Sequence, residues 1–263
     1  MELRMFKSLW GMEQYSYKES LAKIAAAGYT GVEGGIPVEY HKEFAALLEE
    51  YNLDYIALIS TSGNHEEHFT AQVAAAAALK PKLIISHSAR DCMEFERQLQ
   101  FFDHAIEVEK QYGIPIGHET HRHRAMFTPW TTAKLLNAIP DLKITADFSH
   151  WCCVCESLLE DQAEHLQLAI DRTIHIHARV GYAEGPQVPH PGAPEYSREL
   201  AAHESWWGQI LKSRTEQGHA YTTVTPEFGP PGYMHTLPYT NQPVADLWDV
   251  CSWMSDRMKT KFM

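Results

Sequence analysis

Short apolar runs alternate along this chain with longer stretches in which apolar positions recur every three or four residues. The short runs read as buried strands and the long ones as amphipathic helices. The pattern predicts strand and helix pairs at 4–10 and 17–27, 31–36 and 38–51, 53–60 and 69–79, and 82–88 and 93–112. Four more pairs follow at 114–121 and 129–138, 142–150 and 162–170, 173–180 and 197–217, and 221–228 and 244–261. Gly28 stops the first helix, and Gly113 with Pro115 stops the fourth.

Eight strand–helix units with no linker between them predict an α/β fold, a single (β/α)8 TIM barrel over residues 1–263. An open doubly wound sheet is the competing arrangement, but no Gly-rich fingerprint follows the first strand. Two connections, 181–196 and 229–242, are longer than the usual few residues. Both follow strands, so a barrel places both on its C-terminal face, where active sites sit.

Composition narrows the function. A chain of 263 residues with 44% apolar content suits one large domain. The net charge of −12, from 22 basic against 34 acidic residues, argues against nucleic acid and anionic membranes as partners. The N-terminus lacks a basic segment followed by an apolar run, so no signal peptide is expected. Five cysteines without scaffold spacing point to a reducing, cytoplasmic setting. Sixteen histidines are the outlying figure, since histidine is the commonest metal ligand.

The ends of strands five to eight carry the chemistry. PIGHETH ends near Glu119, KITADFSH near Asp147, IHIHARV near His177 and TTVTPEF near Glu227. Neighbouring strands lie about 4.8 Å apart, so four consecutive ends on an arc can surround one ion. Any one of these carboxylates alone could cap a helix or accept a salt bridge. Three with a histidine on successive strands predict a shared divalent cation; the set suits Mn, Mg, Co or Zn, and oxygen-rich sites lean toward Mn or Mg.

Side chains alternate along a strand, so His175 lies deeper on the face of His177 and is expected to be hydrogen-bonded rather than ligating. By the same rule His121 shares a face with Glu119, and Arg179 with His177. His121, His150, Arg179, Glu33 and His87 are the candidates for substrate contact. For Arg179 the competing reading is a salt bridge to Glu119 or Glu227, and for Glu33 a contact with a neighbouring loop. His65 and His68 read as loop residues, and Cys152, Cys153 and Cys155 as small residues opening a helix. Trp10 belongs with aromatic side chains that pack, or stack on sugars in a barrel mouth.

Through AGYTGVEGG, HETH, DFSH, HIHAR and PEF the chain resembles the sugar-phosphate isomerase/epimerase family of xylose-isomerase-like barrels, over essentially its whole length. Tagatose 3-epimerase-like members hold Mn, Mg or Co with Glu, Asp, His and Glu on strands five to eight. The resemblance implies that role for Glu119, Asp147, His177 and Glu227. It further implies that Glu119 and Glu227 move the substrate proton and that His150 and Arg179 touch a small carbohydrate. The expected activity is a divalent-metal-dependent isomerase or epimerase, with a dehydratase or lyase on a keto-sugar or keto-glycoside as alternative. Dimers are common in similar barrels, which makes a homodimer the corresponding expectation. The segments GYAEGPQVPHPGAPEY and HRHRAMFTPW depart from the family pattern and leave the substrate open. An endonuclease IV-like nuclease would need an Asp-x-His after the strand-seven histidine, where this chain reads ARVGYAEG. A non-catalytic sugar-binding barrel would be favoured by loss of a ligand, and all four are present.

Overall fold

The computed structural model describes residues 1–263. Eight parallel strands close in chain order: β1 (Glu2–Ser8), β2 (Gly31–Gly34), β3 (Asp54–Ser60), β4 (Leu83–His87), β5 (Ile116–Glu119), β6 (Ile144–Ala146), β7 (Thr173–His177) and β8 (Tyr221–Thr225). The surrounding helices are α1 (Tyr17–Ala26), α2 (His41–Tyr51), α3 (His65–Ala77), α4 (Phe95–Tyr112), α5 (Pro129–Ala138), α6 (Ser149–Val154), α7 (Ala163–Asp171), α8 (Ser197–Glu216) and α9 (Leu247–Phe262). β1 closes the ring by pairing with both β2 and β8, with Met5 opposite Val224 and Phe6 opposite Gly31. No helix is long and apolar enough to cross a membrane.

Alternation along each strand sends one set of side chains outward to the helices and the other into the barrel. The outward set joins the helices' apolar faces in a large continuous core. The inward set divides by strand. Phe6, Ile56, Leu83 and Ile85, from β1, β3 and β4, form a separate apolar plug. On the opposite side the interior is polar: Thr145, His175 and Thr223 are buried there, and His175 Nδ1 lies 2.7 Å from Thr223 Oγ1. One half of the barrel is thus an ordinary core, and the other a scaffold of hydrogen-bonding groups beneath β5–β8.

Strand six is shorter than its apolar run suggests, and α6 was not anticipated. The Asp147 backbone N–H leaves the ladder to donate to Thr120 Oγ1 at 2.8 Å. The Asp147 carboxylate then accepts from the Ser149 backbone N–H at 3.2 Å and from the Ser149 hydroxyl, starting a helix. Cys152 and Cys153 therefore lie within α6 and Cys155 closes it; they do not open it. Helix α3 begins at His65, so His65 and His68 belong to its first turn rather than to a loop. The 38–51 stretch starts as a 3-10 turn, Val38–Tyr40, before α2.

The two long connections are joined. Gly229 N–H donates to Gln187 Oε1 at 2.7 Å, and Gln187 Nε2 donates back to the Gly229 carbonyl at 3.2 Å. Gln187 is buried, so this reciprocal amide pair is shielded from water.

Gly31 makes room for the apolar plug. A Cβ there would come within 2.4 Å of both the Phe6 ring and the Asp54 carbonyl oxygen. The carbonyl belongs to the adjoining strand and cannot rotate away. Gly31→Ala is expected to destabilise the fold by about 1–3 kcal/mol. Urea unfolding checks this, and an unchanged midpoint would show that the contact relaxes freely.

Candidate metal centre

Each candidate ligand arrives on its own strand end. Glu119 is the last residue of β5, Asp147 follows β6, His177 is the last of β7, and Glu227 follows β8 by two. All four are buried, and their donor atoms lie within 4.8 Å of one another. His177 Nδ1 is 3.0 Å from Glu227 Oε2 and 3.6 Å from Glu119 Oε2. Glu119 Oε1 and His177 Nδ1 have no hydrogen-bond partner. Buried polar atoms left unpaired are costly, and three carboxylates with one imidazole form a donor set suited to a divalent cation. The residues present therefore fit such an ion.

Behind this set lies Glu33, fully buried at the end of β2. It does not reach the cavity as expected of a substrate contact. β1 and β8 separate β2 from β7 in the ring, and the Glu33 carboxylate reaches through the interior to the β7 histidines. Glu33 Oε1 is 3.2 Å from His177 Nε2, and Oε2 is 3.3 Å from His175 Nε2. Thr225 donates its hydroxyl to Oε2 at 2.5 Å. Glu33 faces the Nε2 edge of the His177 ring, which leaves the Nδ1 edge directed toward Glu119 and Glu227. Such a partner orients a metal-binding histidine and raises its basicity.

Arg179 is buried and takes the salt-bridge alternative. Its Nη2 pairs with Asp147 Oδ2 and lies 3.5 Å from Glu227 Oε2. The same nitrogen donates to His150 Nε2 at 2.7 Å. His150 is fully enclosed, its ring 3.8 Å from that of His121, and it lies behind Arg179 rather than in the lining of the large cavity over the site. In this arrangement it supports Arg179. His121 in turn lies 4.6 Å from His87, whose Nε2 is 2.8 Å from Glu119 Oε2.

Charge arranges these groups. Burial would raise the Glu119 carboxyl, but His87 and His177 hold it well below the usual range. Burial would likewise lower His177, yet Glu227, Glu33 and Glu119 push it well above its ordinary value. Burial raises Asp147 to about 6; Arg179 opposes this, and Glu119 and Glu227 add to it. Burial keeps His121 neutral, at about 3, and holds His150 far below its ordinary value.

A cavity of about 760 Å³ opens over the site. Glu227, Arg179, His121 and His87 line it, while Glu119, Asp147 and His177 lie beneath. Tyr233, from the loop after β8, forms part of its wall. Its ring stands 4.9 Å from that of Trp10 and 5.0 Å from the guanidinium carbons of Arg179 and Arg122. Gly229 lets this happen: a Cβ there would enter the Trp10 indole at 2.1 Å. Tyr233, Ser149 and Thr225 were not singled out in the sequence. The only signal for Tyr233 was the length of its loop.

Fold and site together define a parallel (β/α)8 barrel with four buried candidate metal donors at the ends of β5–β8. The chain belongs to the xylose isomerase-like TIM barrel family, whose model matches residues 21–190. No curated protein sequence matches it. Among solved structures it resembles a D-tagatose 3-epimerase-like protein, at 14% identity and TM-score 0.64, over 98% of this chain and 96% of that one. The "probable 3-DHS dehydratase AsbF involved in the petrobactin synthesis" from Bacillus anthracis matches at 14% identity and TM-score 0.64 over 100% of both chains. A xylose isomerase-like barrel from Mycobacterium smegmatis, in complex with magnesium, matches at 9% identity and TM-score 0.67 over 98% of this chain and 95% of its own. At these identities the likeness establishes the fold.

Two outcomes follow from the centre. Glu33→Gln is expected to weaken Mn2+ binding about 10–100-fold while leaving the circular dichroism spectrum unchanged. Titration calorimetry reads this, and parental affinity would show that Glu33 does not orient His177. Divalent affinity is also expected to rise with pH. An ion must displace the proton that three carboxylates hold on His177 and, below pH about 6, the one on Asp147. Calorimetry in buffers of different ionisation enthalpy will show proton release on binding; no release would refute the sign.

Proposed function

We propose that the protein is a divalent-metal-dependent isomerase or epimerase acting on a sugar or sugar-like keto substrate by proton transfer through an enediolate. The observation that carries this reading is the placement of two carboxylates, Glu119 and Glu227, at opposite ends of one buried donor arc. Glu119, Asp147, His177 and Glu227 would hold the ion. When bound, the ion supplies Lewis acidity, which stabilises negative charge developing on a substrate carbonyl oxygen.

The chain supplies the rest. Glu227 reaches both the donor set and the cavity, so it is placed to take a proton from the carbon beside the carbonyl. Glu119 is placed to return a proton from the other end of the arc. Its hydrogen bond to His87, which lines the cavity, links it to that space. Arg179 holds Asp147 and faces substrate, and Tyr233 narrows the opening and limits water. The dehydratase alternative shares the first proton abstraction. His87 favours it as a second reading: burial lowers its affinity for a proton, but Glu119 reverses this and raises it, so His87 could protonate a leaving hydroxyl.

The same proposal takes a small carbohydrate as partner. The net charge of −12 weighs against nucleic acid and anionic membranes. A cytoplasmic location and a homodimer belong to this reading as well.

Glu227→Gln is expected to lower exchange of the carbon-bound proton beside the carbonyl by about 10²–10⁴-fold, with the fold intact. Deuterium incorporation from D2O into ketohexoses, followed by NMR with Mn2+ present, measures this. Parental exchange in the variant would remove Glu227 from proton transfer. No metal-dependent exchange in the parent protein would overturn the reading.

A further inference from the structure

We infer that the cavity holds a second, uncharged sugar ring beyond the one that reacts, so that the substrate is a neutral two-ring ketose rather than a free monosaccharide or a sugar phosphate. This rests on the proposed carbohydrate chemistry at the strand ends. The cavity, at about 760 Å³, is several times larger than one hexose. It is also not centred on the donor set. Glu227 and Arg179 form one side, and the other extends along the connections after β1 and β2.

That far wall has the chemistry of a sugar platform. Tyr15, Tyr17 and Tyr40 supply ring faces and phenolic hydroxyls, and Ser20 supplies a further hydroxyl. Aromatic planes with a few polar groups fix a ring's position without requiring charge on it. No Lys or Arg lines this wall; the ammonium of Lys23 stands 5.3 Å from the Tyr15 ring centroid and outside the lining. Arg179 is the only Lys or Arg lining the cavity, and it already faces Asp147 and Glu227. Glu13 and Glu43 add negative charge at the far end. The N-terminus of α1, a place where anions commonly bind, is satisfied by its own chain: Ser16 accepts from Glu19 N–H, and Glu19 accepts from Ser16 N–H.

The test compares ligands that share one ketose. Calorimetry on the Mn2+-loaded protein uses D-fructose, D-fructose 6-phosphate, and lactulose and palatinose, which attach a neutral second ring through O4 and O6. At least one of the two-ring sugars is expected to bind about 10-fold tighter than fructose, and the phosphate no tighter than fructose. Tyr15 and Tyr40 are both exposed, at 40% and 44%, so the Tyr15→Ala/Tyr40→Ala variant keeps the core intact. In it the ratio of two-ring to fructose affinity is expected to fall toward one. Equal binding of one- and two-ring sugars, tightest binding of the phosphate, or an unchanged ratio in the variant would overturn the second-ring site alone. Binding of none of the four to metal-loaded protein would overturn the carbohydrate reading and this inference with it.

Discussion

Mutual repulsion among buried carboxylates is the constraint around which this barrel is organised. Glu119, Asp147 and Glu227 converge out of water, with Glu33 one layer below. Arg179 offsets part of that charge, and the same acids raise the proton affinity of His177. The inward-facing residues of β7 and β8 answer the same requirement. Thr223, Thr225 and His175 stand where another barrel would place branched aliphatic side chains, because the layer above them needs hydrogen bonds rather than packing. The apolar plug on the β1, β3 and β4 side supplies the packing that this half forgoes.

How much of this was legible in the sequence depends on how local the signal was. The strands and helices could be read because their periodicities differ, and Gly28 and Gly113 end helices with positive φ of 74° and 64°. The donor set was legible for the same reason, since one metal-ligating side chain at the end of each of four consecutive strands is a local pattern. Glu33 was visible as a charged residue, but its partner was not. Its position behind His177 depends on two strands far apart in the chain meeting across a closed ring. His150 shows the same limit, because its burial depends on α6, hidden in FSHWCCV, where no Gly or Pro marks the end of the strand.

Asp147 shows why separate readings of one residue need not compete. Oδ1 starts a helix by accepting from Ser149, while Oδ2 faces Arg179. A turn leading into a helix and an ion pair are alternatives on paper, yet a carboxylate has two oxygens and serves both. The helix fixes the side chain's rotamer, and a fixed rotamer is what a site with little tolerance for misplacement requires.

The amide pair between Gln187 and Gly229 has a consequence for anyone remodelling this scaffold. One half of that clasp is main chain, so no substitution at 229 other than Pro can remove its polar groups, and few could replace Gly there beside Trp10. A graft that imports either long loop from another barrel will leave a hydrogen-bonding edge without its mate. The two segments form one inheritable unit and must be exchanged together.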